Sequence, residues 1–321
     1  MGPNARGALI ALTGFAAFAT HDLVVKVLGG AYSPVQILFF SVLFGFPLIS
    51  LMLISDSEPG HLRPVHPWWV ALRTGAAVVT GGSAFYAFSN LPLAQVYAII
   101  FAAPLFITIL AIPILGERVR LRRWAAVIVG LSGVIVVLRP GTTELTLAHM
   151  AALFAAFGSA LASIISRKIG QEERTAVLIL YPTLANFAVM GALLPLVYVP
   201  MPVADLALNA GLAVLGFAGA ALMIYAYREG EAVIVAPMQY SQILWAVIFG
   251  TLLFGESLDQ ATILGAAIII GSGLYIVIRE GRPEASANRP VSRTRMRFET
   301  GTWPRIDALL RLARIRAKSR D

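Results

Sequence analysis

Three ionisable side chains, His21, Asp22 and Lys26, stand in an otherwise apolar run from Gly7 to Gly29. About 20 residues at 1.5 Å each cover a ~30 Å hydrocarbon layer, so a run of this length spans a bilayer. A central Asp or Lys there costs roughly 2.5–3.5 kcal/mol on insertion scales. Something must compensate, and a water-filled path through a helix bundle is the usual reason. Asp22 and Lys26 are i and i+4, so they share one helical face. Asp22 suits a cation or a proton, Lys26 an anionic group, and His21 titrates near neutral pH. All three are candidate substrate-binding residues, with Asp22 and His21 the candidate proton-coupling groups. The competing reading is an internal Asp22–Lys26 ion pair, with Lys26 snorkelling to the helix end.

Two more polar faces could meet a substrate. Ser83, Tyr86 and Asn90 recur at i, i+3 and i+7, beside Gly81-Gly82. Met238, Ser241, Gln242 and Trp245 fall at i, i+3, i+4 and i+7, with Gln239 next to them. That second face offers amide, hydroxyl and indole groups to a flat polar ligand. Pro237 before it removes a backbone donor, as in broken transporter helices. Tyr181, Asn186 and Tyr225 are further cavity candidates. Gln95 and Tyr97 open the fourth apolar span but carry little signal alone. Glu117 and Glu256 sit at helix junctions and read as structural. Arg73 reads as a topology anchor. No catalytic constellation, phosphate-binding loop or metal pattern is present, and no cofactor is expected. The four histidines, His21, His61, His66 and His149, are scattered, and there is no cysteine to pair or to ligate metal.

These residues need a membrane bundle to position them. Of 321 residues 58% are hydrophobic and only 13% charged, against about a quarter charged in soluble proteins. Ten apolar spans follow one another: 7–29, 34–55, 68–90, 92–115, 124–139, 147–167, 175–199, 205–227, 232–255 and 261–279. The first is too long for a signal h-region and reads as a retained helix. With the N-terminus inside, the inner side receives Arg6, Arg63, Arg118, Arg120, Arg122, Arg123, Arg167, Lys168, Arg174 and Arg228. The outer side receives Arg139 and Lys26. Basic residues favour the cytoplasmic side, so both termini are expected there.

The spans also repeat. Leu115-Gly116-Glu117 recurs as Phe254-Gly255-Glu256, and Phe15-Ala16-Ala17-Phe18 as Phe154-Ala155-Ala156-Phe157, both at an offset of 139. Each half then holds five spans, an odd number, so the second enters from the opposite side as an inverted repeat. The expectation is an all-α integral membrane protein of ten transmembrane helices in two inverted five-helix repeats, residues 1–141 and 142–281.

The paired Gly116-Glu117 and Gly255-Glu256 motifs carry a family resemblance. So do Ala103-Pro104-Leu105-Phe106 and the Val129–Ile135 span. Over residues 5–281 the chain resembles the ten-helix EamA-type carriers of the drug/metabolite transporter superfamily. His21-Asp22 with Lys26 resembles a subset that includes S-adenosylmethionine carriers. The resemblance implies alternating access around a central cavity.

The expected function is secondary transport of a small polar organic metabolite across the inner membrane, proton-coupled or by exchange. The expected partners are that small-molecule substrate and the bilayer. Residues 282–321 hold 11 Arg or Lys. From Pro304 an amphipathic helix is expected to lie on anionic lipid, and nucleic acid is not an expected partner. The alternative from another class is a membrane sensor acting through that tail.

Overall fold

The computed structural model describes residues 2–54, 62–117, 119, 121–140 and 144–280. The described residues are helical almost throughout. α1 is Pro3–Gly29, α2 Pro34–Ile54, α3 Pro67–Asn90, α4 Leu93–Ile100, α5 Ala103–Leu115 and α6 Leu121–Leu138. α7 is Leu147–Ile169, α8 Thr175–Leu193, α9 Val203–Glu229, α10 Ala232–Val235, α11 Ser241–Phe254 and α12 Gln260–Glu280. By length and composition, six segments can cross a membrane: Asn4–Gly29, Pro34–Leu51, Leu93–Leu115, Leu147–Ile169, Thr175–Leu196 and Val203–Glu229. The expected basic tail, His61 and the Arg118 and Arg120 positions lie outside the described residues.

Two of the ten expected spans are interrupted, and a proline explains each. Between α4 and α5 the chain makes a turn at Phe101–Ala102, and Pro104 then enters at the start of α5. Proline has no N–H to continue the ladder. In the ninth span Pro237 lies inside a 3-10 stretch, Ala236–Tyr240, that separates α10 from α11. The two breaks meet: the Phe101 and Tyr240 rings pack edge-on with centroids 5.2 Å apart.

α5 and α11 end alike. Gly116 has φ 70° and Gly255 φ 63°, the left-handed conformation that glycine adopts without a Cβ penalty. The next amide reaches back six residues in both: Glu117 N to Ala111 O at 3.3 Å and Glu256 N to Gly250 O at 2.9 Å. Here the repeated Gly-Glu motif has a repeated geometry.

Close helix pairs are built on small residues, as expected where lipid is as apolar as the side chains. A Cβ on Gly7 of α1 would stand 2.7 Å from the Gly230 backbone beyond α9. A Cβ on Gly265 of α12 would stand 2.7 Å from Gly133 O of α6. The buried core runs through Val25, Phe85, Phe88, Tyr97 and Phe101, which places α4 at the centre of the bundle.

Candidate functional site

Asp22 sits midway along the second half of α1 and is buried, at 9% exposure. A buried charge must be paired or hydrogen-bonded, and both of its oxygens are engaged. His21 Nδ1 lies 2.8 Å from Oδ1, and the Tyr97 hydroxyl donates to Oδ2. Gln242 Nε2 in turn donates to the Tyr97 hydroxyl at 3.1 Å. The result is a chain, His21–Asp22–Tyr97–Gln242, joining α1, α4 and α11 across the middle of the bundle. Tyr97 is 1% exposed and Gln242 is fully buried.

Apolar rings hold this network in place. His21 packs edge-on against Phe85 at 5.9 Å, and Tyr97 lies between Phe88 at 5.3 Å and Phe101 at 5.8 Å. At the α10–α11 break, the Gln242 Oε1 and Ser241 Oγ atoms are buried without a hydrogen-bond partner. Buried polar atoms normally have one, and these two belong to adjacent residues, of which Gln242 is a member of the network.

Lys26 does not pair with Asp22. Its Nζ lies 2.5 Å from Glu256 Oε1, donates to Leu91 O at 2.6 Å, and stands 5.1 Å from the centre of the Phe254 ring. Glu256 Oε2 also accepts from Leu93 N at 3.1 Å. One helical turn thus separates a carboxylate held by neutral groups and an imidazole from an ammonium held by another carboxylate. The α-helical i, i+4 spacing is real, but the side chains turn to different neighbours.

The other candidates divide. Gln242 and Ser241 stand at the network. Gln239 is half-buried in the 3-10 stretch preceding them. Trp245 is half-buried and stacks on Phe249 at 5.8 Å. The α3 stripe is not brought to the network. Phe85 and Phe88 face the core, and Tyr86 and Asn90, on another face of the same helix, are exposed. Asn90 Nδ2 is bonded to Tyr86 O of its own helix at 2.8 Å, and Ser83 is half-buried. Tyr181 donates to Leu62 O at 3.3 Å, near the start of α3, whereas His21 meets Phe85 near its end. Asn186 is fully buried and donates to Pro182 O at 3.0 Å.

Two charged groups have roles that spacing did not reveal. Arg73 is buried between α3, α7 and α8, donating Nε to Ser166 Oγ at 2.6 Å and a further N–H to Leu178 O. Glu117 pairs with Arg167 at 2.5 Å. His149 belongs to the cap of α7, where Nδ1 meets Thr146, and its Nε2 lies 3.0 Å from Gln95 Nε2. Among the described residues no group of three or more His, Cys, Asp or Glu could hold a metal ion.

Residues 5–139 and 146–278 each match the profile of the EamA-like transporter family. The chain is 27% identical over 270 residues to the S-adenosylmethionine uptake transporter of Rickettsia prowazekii (strain Madrid E), covering 83% of this chain and 90% of the relative. It is 26% identical over 266 residues to the riboflavin transporter of Rhizobium johnstonii, covering 83% and 87%. It is 24% identical over 271 residues to the pseudopaline exporter CntI of Pseudomonas aeruginosa, covering 82% and 93%. A crystal structure of another protein, 19% identical, superposes with a TM-score of 0.54 over 84% of this chain and 96% of its own, a likeness of fold alone.

Proposed function

Since the chain belongs to the EamA-like transporter family of the drug/metabolite transporter superfamily, we propose that it is a secondary carrier for a small polar organic metabolite, working by alternating access. It is a multi-pass membrane transporter and not an enzyme. The relatives named for S-adenosylmethionine, riboflavin and pseudopaline make a polar metabolite of cofactor or amino-acid type the substrate class. The carrier lies in the inner membrane with both termini cytoplasmic, in accord with the basic residues on one side. Its halves, 1–141 and 142–281, form the inverted repeat. The shared Gly-Glu geometry supports this, as does the contact between Phe101 and Tyr240, which are 139 residues apart.

The observation that carries the reading is the buried chain His21–Asp22–Tyr97–Gln242. It spends a buried carboxylate on a contact between α1, α4 and α11, where apolar packing would be cheaper. At the same place two spans are broken, and the buried Ser241 Oγ and Gln242 Oε1 atoms await partners. Substrate donors and acceptors satisfy those atoms when the site is occupied. Gln242, Ser241 and Gln239 bind the substrate from α11 and its 3-10 lead, and Trp245 stacks at the edge. Asp22, with His21, binds the coupled proton or the cationic part of the substrate. Tyr97 holds Asp22 in place.

The test is uptake by the purified protein in proteoliposomes. The panel is S-adenosylmethionine, riboflavin, amino acids and nucleosides, each radiolabelled, with and without a pH gradient. Saturable uptake of one class, lost in Asp22→Asn, is expected. pH-independent uptake unchanged by Asp22→Asn would remove the coupling role.

A further inference from the structure

The two Gly-Glu turns are each closed by a cation from the other half. Lys26, in the last turn of α1, holds Glu256 beyond α11 at 2.5 Å. Arg167, in the last turn of α7, holds Glu117 beyond α5 at 2.5 Å. The offset of 139 relates Glu117 to Glu256, and α1 and α7 each open one of the two family matches. The arrangement is therefore reciprocal: the first helix of each half clamps the fourth span of the other.

At each clamp a lysine also meets a backbone carbonyl and an aromatic ring, at positions the offset of 139 does not relate. Lys26 donates to Leu91 O and lies against the Phe254 ring. Lys168, next to Arg167, donates to Ile114 O at 2.7 Å and lies 4.3 Å from the centre of the Trp69 ring. All four clamp side chains are largely dry, at 12% and 17% for Lys26 and Glu256 and 18% and 7% for Arg167 and Glu117.

The clamps lie at opposite ends of one span. Glu256 accepts from the amide of Leu93, the first residue of α4. Glu117 follows Gly116, just past the last residue of α5. Leu93–Leu115 is 23 residues long, roughly 35 Å at 1.5 Å per residue, enough to cross a ~30 Å hydrocarbon layer.

We propose that Lys26–Glu256 and Arg167–Glu117 are paired gate clamps, one at each membrane face, that open alternately during transport. The proposal rests on the carrier reading above. Each clamp is strong while dry and weak once water enters, because the attraction between charges falls with the local dielectric. Opening a face therefore dissolves the clamp that closes it, while the clamp on the other face stays dry and holds. Both clamps are closed in the structure, and the difference between them sets which face opens more readily.

The chain has no cysteine, so single reporters are simple to place. Ala94 is 6% exposed and follows Leu93, and Ala111 is fully buried and its carbonyl accepts from Glu117 N. Ala94→Cys and Ala111→Cys would be labelled in the full chain with a membrane-impermeant maleimide, in right-side-out and inside-out vesicles. Glu256→Gln is expected to raise labelling at Ala94→Cys about tenfold, a population shift of one decade, and to lower it at Ala111→Cys. Glu117→Gln should do the reverse. The exchange Lys26→Glu with Glu256→Lys should return Ala94→Cys to the parent rate. Both reporters speeding up together in either variant, or neither changing, would overturn the clamps alone. Reporters that react from the same face would remove the inverted arrangement, and the clamps with it.

Discussion

Removing the Tyr97 hydroxyl tests whether the buried chain is an interacting unit or a coincidence of neighbours. Tyr97→Phe keeps the ring between Phe88 and Phe101 and deletes a single oxygen. That oxygen donates to the Asp22 carboxylate and accepts from Gln242 Nε2 at 3.1 Å. A hydrogen bond to a charged group contributes about 1.5–3 kcal/mol and a neutral one about 0.5–1.5 kcal/mol. Polar contacts in membranes average nearer about 0.6 kcal/mol, since the unfolded chain also finds partners there. The variant should therefore lose about 1–4 kcal/mol. A double-mutant cycle with Asp22→Ala separates the Tyr97–Asp22 contact from the rest. The assay is reversible unfolding in mixed micelles titrated with SDS, followed by far-UV circular dichroism. A coupling energy of about 1–2 kcal/mol is expected. Additive losses within about 0.3 kcal/mol, as independent sites give, would refute the network.

Two further outcomes follow from the packing and the caps. Asp259 precedes α12, accepts from Thr262 N at 2.6 Å and from the Thr262 hydroxyl at 3.0 Å, and pairs with Arg139 at 2.5 Å. Burial raises its carboxyl, but the Thr262 bonds and the Arg139 charge outweigh burial and hold it below the ordinary value. Asp259→Ala should cost about 1 kcal/mol, as for a lost N-cap, with little added from the half-exposed ion pair. A carboxyl depressed in the folded state stabilises above its unfolded value of about 3.9 and ceases to as pH falls through the folded one. Thermal melts should therefore show the deficit at pH 7 and see it shrink below about pH 4. A deficit unchanged at pH 3 would contradict this. Gly265→Leu drives a side chain into Gly133 O and Val137 of α6 and should cost about 1–3 kcal/mol through overpacking. Gly271→Leu, where a Cβ meets nothing within 4 Å, should be tolerated, and equal losses at the two glycines would count against the α6–α12 contact.

Much of the architecture was legible because apolar length and proline placement act locally. The ten expected spans fall largely on helical segments, and the expected break at Pro237 is present, whereas the break ahead of Pro104 was not expected and Pro47, Pro113 and Pro182 lie inside unbroken helices. The membrane class and the family followed from the same local signals. Partner choice was not legible, because it depends on packing between spans far apart in sequence. Lys26 looked like a partner for Asp22 at i+4, yet it pairs with Glu256, 230 residues away. Glu256 and Glu117 were read from their junction positions as structural, and their positions do not reveal the cations they meet. Tyr97 carried little signal because one tyrosine in an apolar run gives no periodicity. Its place at the centre of the network comes from the burial of α4 among α7, α11 and α12. The Ser83–Tyr86–Asn90 stripe has helical spacing, but the Phe85 and Phe88 face of α3 is the one that meets the network.

Flux through the purified carrier bears most directly on the proposed mechanism. Proteoliposomes would be loaded with each metabolite of the panel and diluted into the same radiolabelled compound, so that counterflow reports a carrier without any imposed gradient. Alternating access through the buried network predicts transient accumulation of at least one class by the parent protein. It predicts at least a tenfold loss in Gln242→Ala, equivalent to about 1.4 kcal/mol, and a comparable loss in Asp22→Asn. Counterflow of a metabolite that proceeds at the parent rate in both variants would contradict it.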